Sequence, residues 1–229
     1  MKYIILLLLT INTCYGQTLT GIYNIYFKKT TQGRTLEKEA LNPITYSYIY
    51  SNNLSLQRQI MGGGVTAKDT LIVDEFGKVH DVNAKTYMPS NSFYFLNFTS
   101  KKVRIEQTVN NKTIAIKDSI PILKWTLING EVKEIAGYQC KKATTENPSF
   151  GFKGKITVWY TEDIPINNGP HAYTGLPGLI LEVNIGNLST IRFEKLNFFP
   201  EKNTSIVEPE PSIAPLTFSQ YQVIYGKGK

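Results

Sequence analysis

Thr45-Tyr46-Ser47-Tyr48-Ile49-Tyr50-Ser51, then Asn52-Asn53, then Leu54-Ser55-Leu56-Gln57-Arg58-Gln59-Ile60 is the stretch that sets the fold class. The first run alternates with a period of two and places Tyr46, Tyr48 and Tyr50 on one face of an extended strand. Asparagine tolerates positive φ, so the Asn-Asn pair is read as a turn that folds the second run back as a hairpin partner.

The same period recurs outward from this hairpin. Gly21–Lys28 sets Ile22, Asn24 and Tyr26 against Tyr23, Ile25 and Phe27. Phe93–Thr99, Val103–Val109 and Thr113–Asp118 form a meander with turns at Ser100-Lys101-Lys102 and Asn110-Asn111-Lys112. Trp125–Ile128, Val132–Ile135 and Tyr138–Thr145 follow, joined by Asn129-Gly130, a hairpin signal, and by Ala136-Gly137. Lys155–Thr161, Leu179–Asn184 and Thr190–Phe198 complete the strands. Helical periodicity is scarce. Arg34–Leu41 has room for two turns, and Thr217-Phe218-Ser219-Gln220 is a capping-box pattern that opens a short C-terminal helix. Met61-Gly62-Gly63-Gly64 reads as a mobile loop, and it lacks the Lys-Ser/Thr ending of a phosphate-binding loop. Asp74–Lys78 reads as a polar hairpin turn and Pro200–Pro215 as an extended surface segment. The expected fold is mainly β: a single domain, with a curved antiparallel sheet or half-barrel of about ten to twelve strands and little helix.

Residues 1–16 have the pattern of a secretory signal, with Lys2 ahead of the apolar run Tyr3–Ile11 and small residues in Cys14-Tyr15-Gly16 before Gln17. The run is shorter than the about 20 residues that cross a bilayer. Lipidation of Cys14 is the alternative, and Ile11-Asn12-Thr13 is a poor approach sequence for it. Residues 17–225 then form the domain, and Gly226–Lys229 a frayed tail. No later segment is apolar enough to span a membrane. Lys and Arg outnumber Asp and Glu 25 to 18, a formal charge of +7, but they lie in scattered pairs such as Lys28-Lys29 and Lys141-Lys142. Nothing forms the clustered basic surface of a nucleic-acid binder.

Pro165–Gly178 places three prolines and three glycines in fourteen residues and runs into the apolar strand Leu179–Val183. Proline fixes φ and glycine frees it, so this loop has a specified shape. Leu176-Pro177-Gly178-Leu179 fits a type II turn. Asp163 is expected to accept backbone N–H groups in the turn that follows. Trp159 and Tyr160 are adjacent and face opposite ways, with Trp159 assigned to the core ahead of a ligand platform. His171 and Tyr173 are the loop's most exposed candidates for contact.

Reactive chemistry is thin. Once residues 1–16 are removed, Cys140 is the lone thiol, read as a small buried apolar residue. A hydrolytic arrangement would need Cys140 beside His171 with Asp163 orienting the ring, and no oxyanion-hole motif adjoins it. His80 with Asp74, Glu75 and Asp81 is a sparse metal set. No cofactor, catalytic residue or metal is assigned.

Three patches, Trp125 with Gly137–Ala143, Val158–Pro165, and Gly169-Pro170 with Gly175-Leu176-Pro177-Gly178-Leu179-Ile180, resemble in order and spacing the GLPGLI family of exported Bacteroidetes proteins. Where an aromatic often follows the Gly-Pro pair, this chain has His171. The resemblance implies a cell-envelope protein, periplasmic ahead of outer-membrane-associated or extracellular, and supplies no activity. A weaker likeness of fold is to LolA-like periplasmic half-barrels, whose concave face holds acyl chains. The expected role is a non-enzymatic binding or accessory module for an apolar or lipid ligand or an envelope protein. A purely structural envelope protein and a cysteine-dependent hydrolase are the alternatives. The motif and recognition residues are Trp159, Tyr160, Asp163, Pro165, Gly169, Pro170, His171, Tyr173, Gly175, Leu176, Pro177, Gly178 and Leu179.

Overall fold

A computed structural model describes residues 18–28, 30–31, 34–35, 41–73, 75–146, 154–198 and 205–225. The signal at 1–16, Cys14 and the tail at 226–229 lie outside them. Alternation becomes strand along most of the chain: β1 (Leu19–Phe27), β2 (Thr30–Thr31), β3 (Arg34–Thr35), β4 (Ile44–Ser51), β5 (Leu54–Met61), β6 (Gly64–Val73), β7 (Val79–Met88) and β8 (Asn91–Asn97). These are followed by β9 (Lys102–Val109), β10 (Lys112–Ser119), β11 (Thr126–Ile135), β12 (Tyr138–Glu146), β13 (Lys155–Thr161), β14 (Leu179–Ile185), β15 (Ser189–Phe198) and the helix α1 (Phe218–Tyr225).

Eleven strands form one antiparallel sheet in the order β10-β9-β8-β5-β4-β1-β15-β14-β13-β12-β11, and it does not close into a barrel. The order is two meanders laid side by side. The N-terminal one ends at β1, the C-terminal one at β15, and the β1–β15 ladder joins them, running from Leu19 opposite Phe198 to Phe27 opposite Ser189. Turn chemistry agrees with the sequence at Asn52-Asn53, Asn110-Asn111 and Ala136-Gly137, where every residue has positive φ.

Four local expectations are corrected. Arg34–Thr35 pairs with Thr30–Thr31 as a β-ladder, so no helix begins at Arg34; residues 36–40 lie outside the described set. Asn129-Gly130 is not a hairpin turn. Thr126–Ile128 and Val132–Ile135 both pair with β12, Ile128 opposite Lys142 and Val132 opposite Lys141. Residues 129–131 therefore bulge out of one continuous strand, using the positive φ of Gly130 (82°) that a turn would also have used. Met61–Gly64 is a pinned crossing, because the Gln59 side-chain amide donates to Gly62 O and Pro89 O at 2.8 Å each. It leads into β6 and β7, a two-stranded ribbon outside the main sheet with Val73 opposite Val79. The fourth, the type II turn at Leu176–Leu179, belongs to the loop described below.

One face of the sheet is the core, with Tyr23, Tyr46, Tyr48, Ile105, Val158, Ile180 and Phe193 all buried. Each such side chain contributes roughly 1.5–3 kcal/mol of burial. Two elements cover this face. Residues 162–178 form one, and α1 forms the other through Phe218 and Tyr221. Thr217 and Gln220 make the reciprocal capping box, with Gln220 N donating to Thr217 Oγ1 at 3.2 Å and Thr217 N to Gln220 Oε1 at 2.8 Å.

The approach to α1 is a strap. Residues 205–215 run extended, and Arg104 donates to Pro209 O while the Ser212 hydroxyl donates to Glu106 Oε1 at 2.6 Å. At Leu216 the strap bonds to edge strand β10, Leu216 N to Ala115 O at 2.8 Å and Lys117 N to Leu216 O at 2.9 Å. Phe218 N then donates to Asp118 Oδ2 as the helix turns onto the core. Arg104 and Glu106 alternate with the core residues Val103 and Ile105, so the strap starts on the opposite face of the sheet. The chain thus wraps the β10 edge from one face to the other.

Candidate functional site: the proline and glycine loop

Residues 162–178 leave β13 and fold back over the inner face before β14. The loop opens with two tight reversals, Ile166 N to Ile164 O and Asn168 N to Ile166 O, each 2.7 Å, with Pro165 and Asn167 at their outer corners. Ile164, Ile166 and Asn168 consequently point inward and are buried, while Pro165 and Asn167 face solvent. The closing end is tied down by Leu179 N to Ile164 O (3.0 Å) and Ile180 N to Asn168 O (2.8 Å).

Two buried amides fasten the loop to the N-terminal meander. Gln57 on β5 is fully buried; its Nε2 donates to His171 O at 2.8 Å and Gly169 O at 3.1 Å. Its Oε1 accepts from His171 N at 2.6 Å and from the Tyr23 hydroxyl at 2.8 Å. Asn168 of the loop donates to the Tyr48 hydroxyl at 2.9 Å and accepts from Gly169 N. A loop of the C-terminal meander is in this way stapled to β1, β4 and β5 of the other half.

The glycines are explained by proximity more than by turn type. Gly178 does not have positive φ, so Leu176–Leu179 is not a type II turn. A Cβ there would stand 2.0 Å from Thr161 O, and glycine is needed because two backbones touch. At Gly169 a Cβ would meet Ile180 Cβ at 2.7 Å. Gly175 alone uses a left-handed φ (101°), beneath Trp125, whose indole N–H donates to Thr174 O at 2.8 Å.

The expected recognition residues divide sharply. Gly169, Pro170, Tyr173, Leu176, Gly178 and Leu179 are buried, and Pro165, Gly175 and Pro177 are exposed. Tyr173 is 4 % exposed, not a contact residue on the surface. His171 sits at φ 57° with its ring stacked on Tyr94 at 4.2 Å and edge-on to Tyr46 and Tyr23. Its Nε2 has no hydrogen-bond partner, and burial lowers its pKa to about 3, so the ring is neutral. Burial pushes Tyr46 up to about 12 and holds Tyr23, Tyr48, Tyr94 and Tyr173 well above the ordinary phenol range. Asp163 is exposed and accepts no loop N–H; its own N donates to Thr161 Oγ1 at 3.3 Å. Asn167 takes the expected role, accepting from Gly175 N.

Tyr160 is buried, and Trp159 is half-buried and packed at the margin of the core. Lys133 and Lys142 each lie 5.7 Å from the Trp159 ring centre, and Lys133 is paired with buried Glu182 at 2.7 Å. Cys140 is fully buried, and its thiol donates to Tyr138 O. Burial, then the Glu182 carboxylate, raises the thiol pKa to about 11. Cys140 and His171 share no hydrogen bond. Among the described residues no group of three or more His, Cys, Asp and Glu is placed to hold a metal ion. No helix among them is long and apolar enough to cross a membrane.

Gln57 and Asn168 were missed from sequence. A signal existed for Gln57: a two-residue Asn52-Asn53 turn sets Tyr48 opposite Gln57, which turns the amide toward the tyrosine face.

These features define an open antiparallel β domain whose two meanders are locked by a buried-amide staple. Residues 44–218 match the family described as "N-glycanase peptide, N-terminal domain", and the chain belongs to that family. This replaces the GLPGLI assignment, because the match spans the three patches on which that resemblance rested. Two solved structures of PNGF-II are similar in fold. The P21 crystal form superposes with a TM-score of 0.55 at 18 % identity, over 92 % of this chain and 33 % of that one. The C2 form gives 0.49 at 17 %, over 93 % and 30 %. The chain therefore spans about a third of the length of the structures it matches. None of the curated proteins matches it. The LolA-like comparison falls as well, since the inner face that would hold an acyl chain is filled by the chain's own loop.

Proposed function

We propose that this chain is an exported, non-enzymatic accessory module of N-glycan processing, which engages glycan-bearing protein and leaves bond cleavage to another domain or polypeptide. The match over residues 44–218 supports the glycan context. The observation that carries the non-catalytic half is that the Cys140–His171 pair is not assembled, with the Cys140 thiol hydrogen-bonded to Tyr138 O inside the core and the His171 ring stacked on Tyr94 with its Nε2 buried. The signal pattern of residues 1–16 supports export. Because the loop fills the apolar face, recognition falls to polar surfaces of the sheet, and the ligand class shifts from apolar to saccharide.

The test is to offer the purified protein an immobilised panel of N-glycans and a soluble N-glycosylated protein. Retention on glycans without change in the mass of the glycoprotein is the expected result. Release of glycan in proportion to added protein, or retention of no glycan in the panel, would overturn the reading.

A further inference from the structure

Resting on that glycan reading, we propose that Arg104 and Lys117, beneath the 205–216 strap, form a binding site for the carboxylate of an acidic sugar. Arg104 is 3 % exposed, yet its guanidinium is incompletely satisfied. One terminal nitrogen donates to Pro209 O, the other reaches Glu106 Oε2 at 3.5 Å, and Nε has no partner at all. A buried N–H on a charged group is one of the costliest to leave unpaired. The arrangement makes sense if the guanidinium is held ready for a bidentate anion.

Glu208 of the strap marks the position. Its carboxylate pairs with Lys117 Nζ at 2.9 Å but stays 3.7 Å from Arg104 Nη1, too far for a hydrogen bond. It is a loose internal stand-in for an incoming carboxylate. Cavities of about 330 and 140 Å³ open beside it, and both are walled by Arg104, Lys117 and Glu208. The larger reaches the low end of small-ligand pockets, roughly 300–1,000 Å³. The smaller sets Lys102, Arg104 and Lys117 against one carboxylate and adds Asn97, Ser100 and Phe95. Three cations select an anion. An amide, a hydroxyl and an aromatic ring are the groups that hold the hydroxyls and the apolar face of a sugar ring. Opposing charge is present: Glu106 is held by Arg104 and Ser212, and Glu210 lines the larger cavity. Pro209, Pro211 and Pro215 stiffen the strap, so the cradle is shaped before a ligand arrives.

Titrating the full chain with N-acetylneuraminic acid and with galacturonic acid at low salt, followed by calorimetry and by NMR, tests this. Galactose and acetate are the comparators. At least one sugar acid is expected to bind, with binding lost as salt rises. Half-exposed Lys117 tolerates replacement, and Lys117→Gln is expected to weaken binding about tenfold, the loss of one charge-assisted hydrogen bond. Glu208→Gln removes the competing carboxylate and is expected to strengthen it. No binding of either acid at about 10 mM, a level weaker than millimolar affinity, would overturn the proposal. So would equal affinity for galactose, equal affinity for acetate, or indifference to Lys117→Gln. Neutral glycans retained alike by wild type and Lys117→Gln would sink this site while leaving the broader glycan reading standing.

Discussion

Gln57→Leu is the sharpest probe of how the two meanders are held together. Leucine fills nearly the same volume and keeps a fully buried position apolar, so the change removes polar contacts more than packing. Four hydrogen bonds go, two to His171, one to Gly169 O and one from the Tyr23 hydroxyl, and with them a long fifth of 3.5 Å to Ser55 Oγ. At about 1 kcal/mol each, with partners left buried and unpaired, the loss is about 4 kcal/mol. For a domain of this size roughly 2–4 °C per kcal/mol makes that a fall in Tm of about 8–16 °C. Urea unfolding followed by fluorescence of the two tryptophans measures it. Tyr23→Phe supplies the control. Alone it orphans one Gln57 lone pair, but in the Gln57→Leu background it has no bond left to break, so the pair must be strongly non-additive. A loss under about 1 kcal/mol, the worth of a single bond, or simple additivity of the two changes, refutes the staple.

Three other outcomes follow from the loop and core. Gly178→Ala forces a methyl to within 2.0 Å of Thr161 O, where only backbone can give way, and is expected to cost about 3 kcal/mol or more in the same unfolding assay; Pro177→Ala, on the exposed side, should cost under about 1 kcal/mol. The Cys140 thiol is expected to react with a disulfide reagent only as fast as the protein unfolds, and a native-state rate near that of a free thiol would contradict its burial. His171 has a folded pKa of about 3, below its ordinary value, so the unfolded chain takes up a proton that the folded chain refuses. Stability is then complete above about pH 6.5 and falls as pH drops toward 3, with a slope approaching about 1.4 kcal/mol per pH unit from this group. His171→Asn, which keeps the left-handed backbone accessible, should flatten that slope whatever it does to absolute stability.

Alternation was legible wherever one face of a strand is core and the other water. It placed Tyr46 and Tyr48 inward and found the asparagine turns. It does not assign the faces of β5, where Ser55 and Gln57 are fully buried while Ile60 is 55 % exposed. Hydrophobicity marks the wrong face there, because the inner surface at that point must bond a loop more than a hundred residues away. Asn129-Gly130 failed for a related reason: its preference for positive φ serves a bulge as well as a turn, and only the partner strand decides. The glycines of the loop were visible, but not their purpose, since a contact such as Gly178 against Thr161 exists only once the chain has folded back. Arg104 gave no sign at all, because its cover is a strap that begins a hundred residues downstream.

The β1–β15 seam has a consequence for how the chain is made. The strands from β1 to β10 can pair in order as they emerge, yet one side of β1 and the whole tyrosine face stay uncovered until Ser189–Phe198 and the stapling loop arrive. Folding is thus forced to wait for the last strand, with an unusually long loop to close. A polypeptide built this way keeps its tyrosine face open during most of its synthesis.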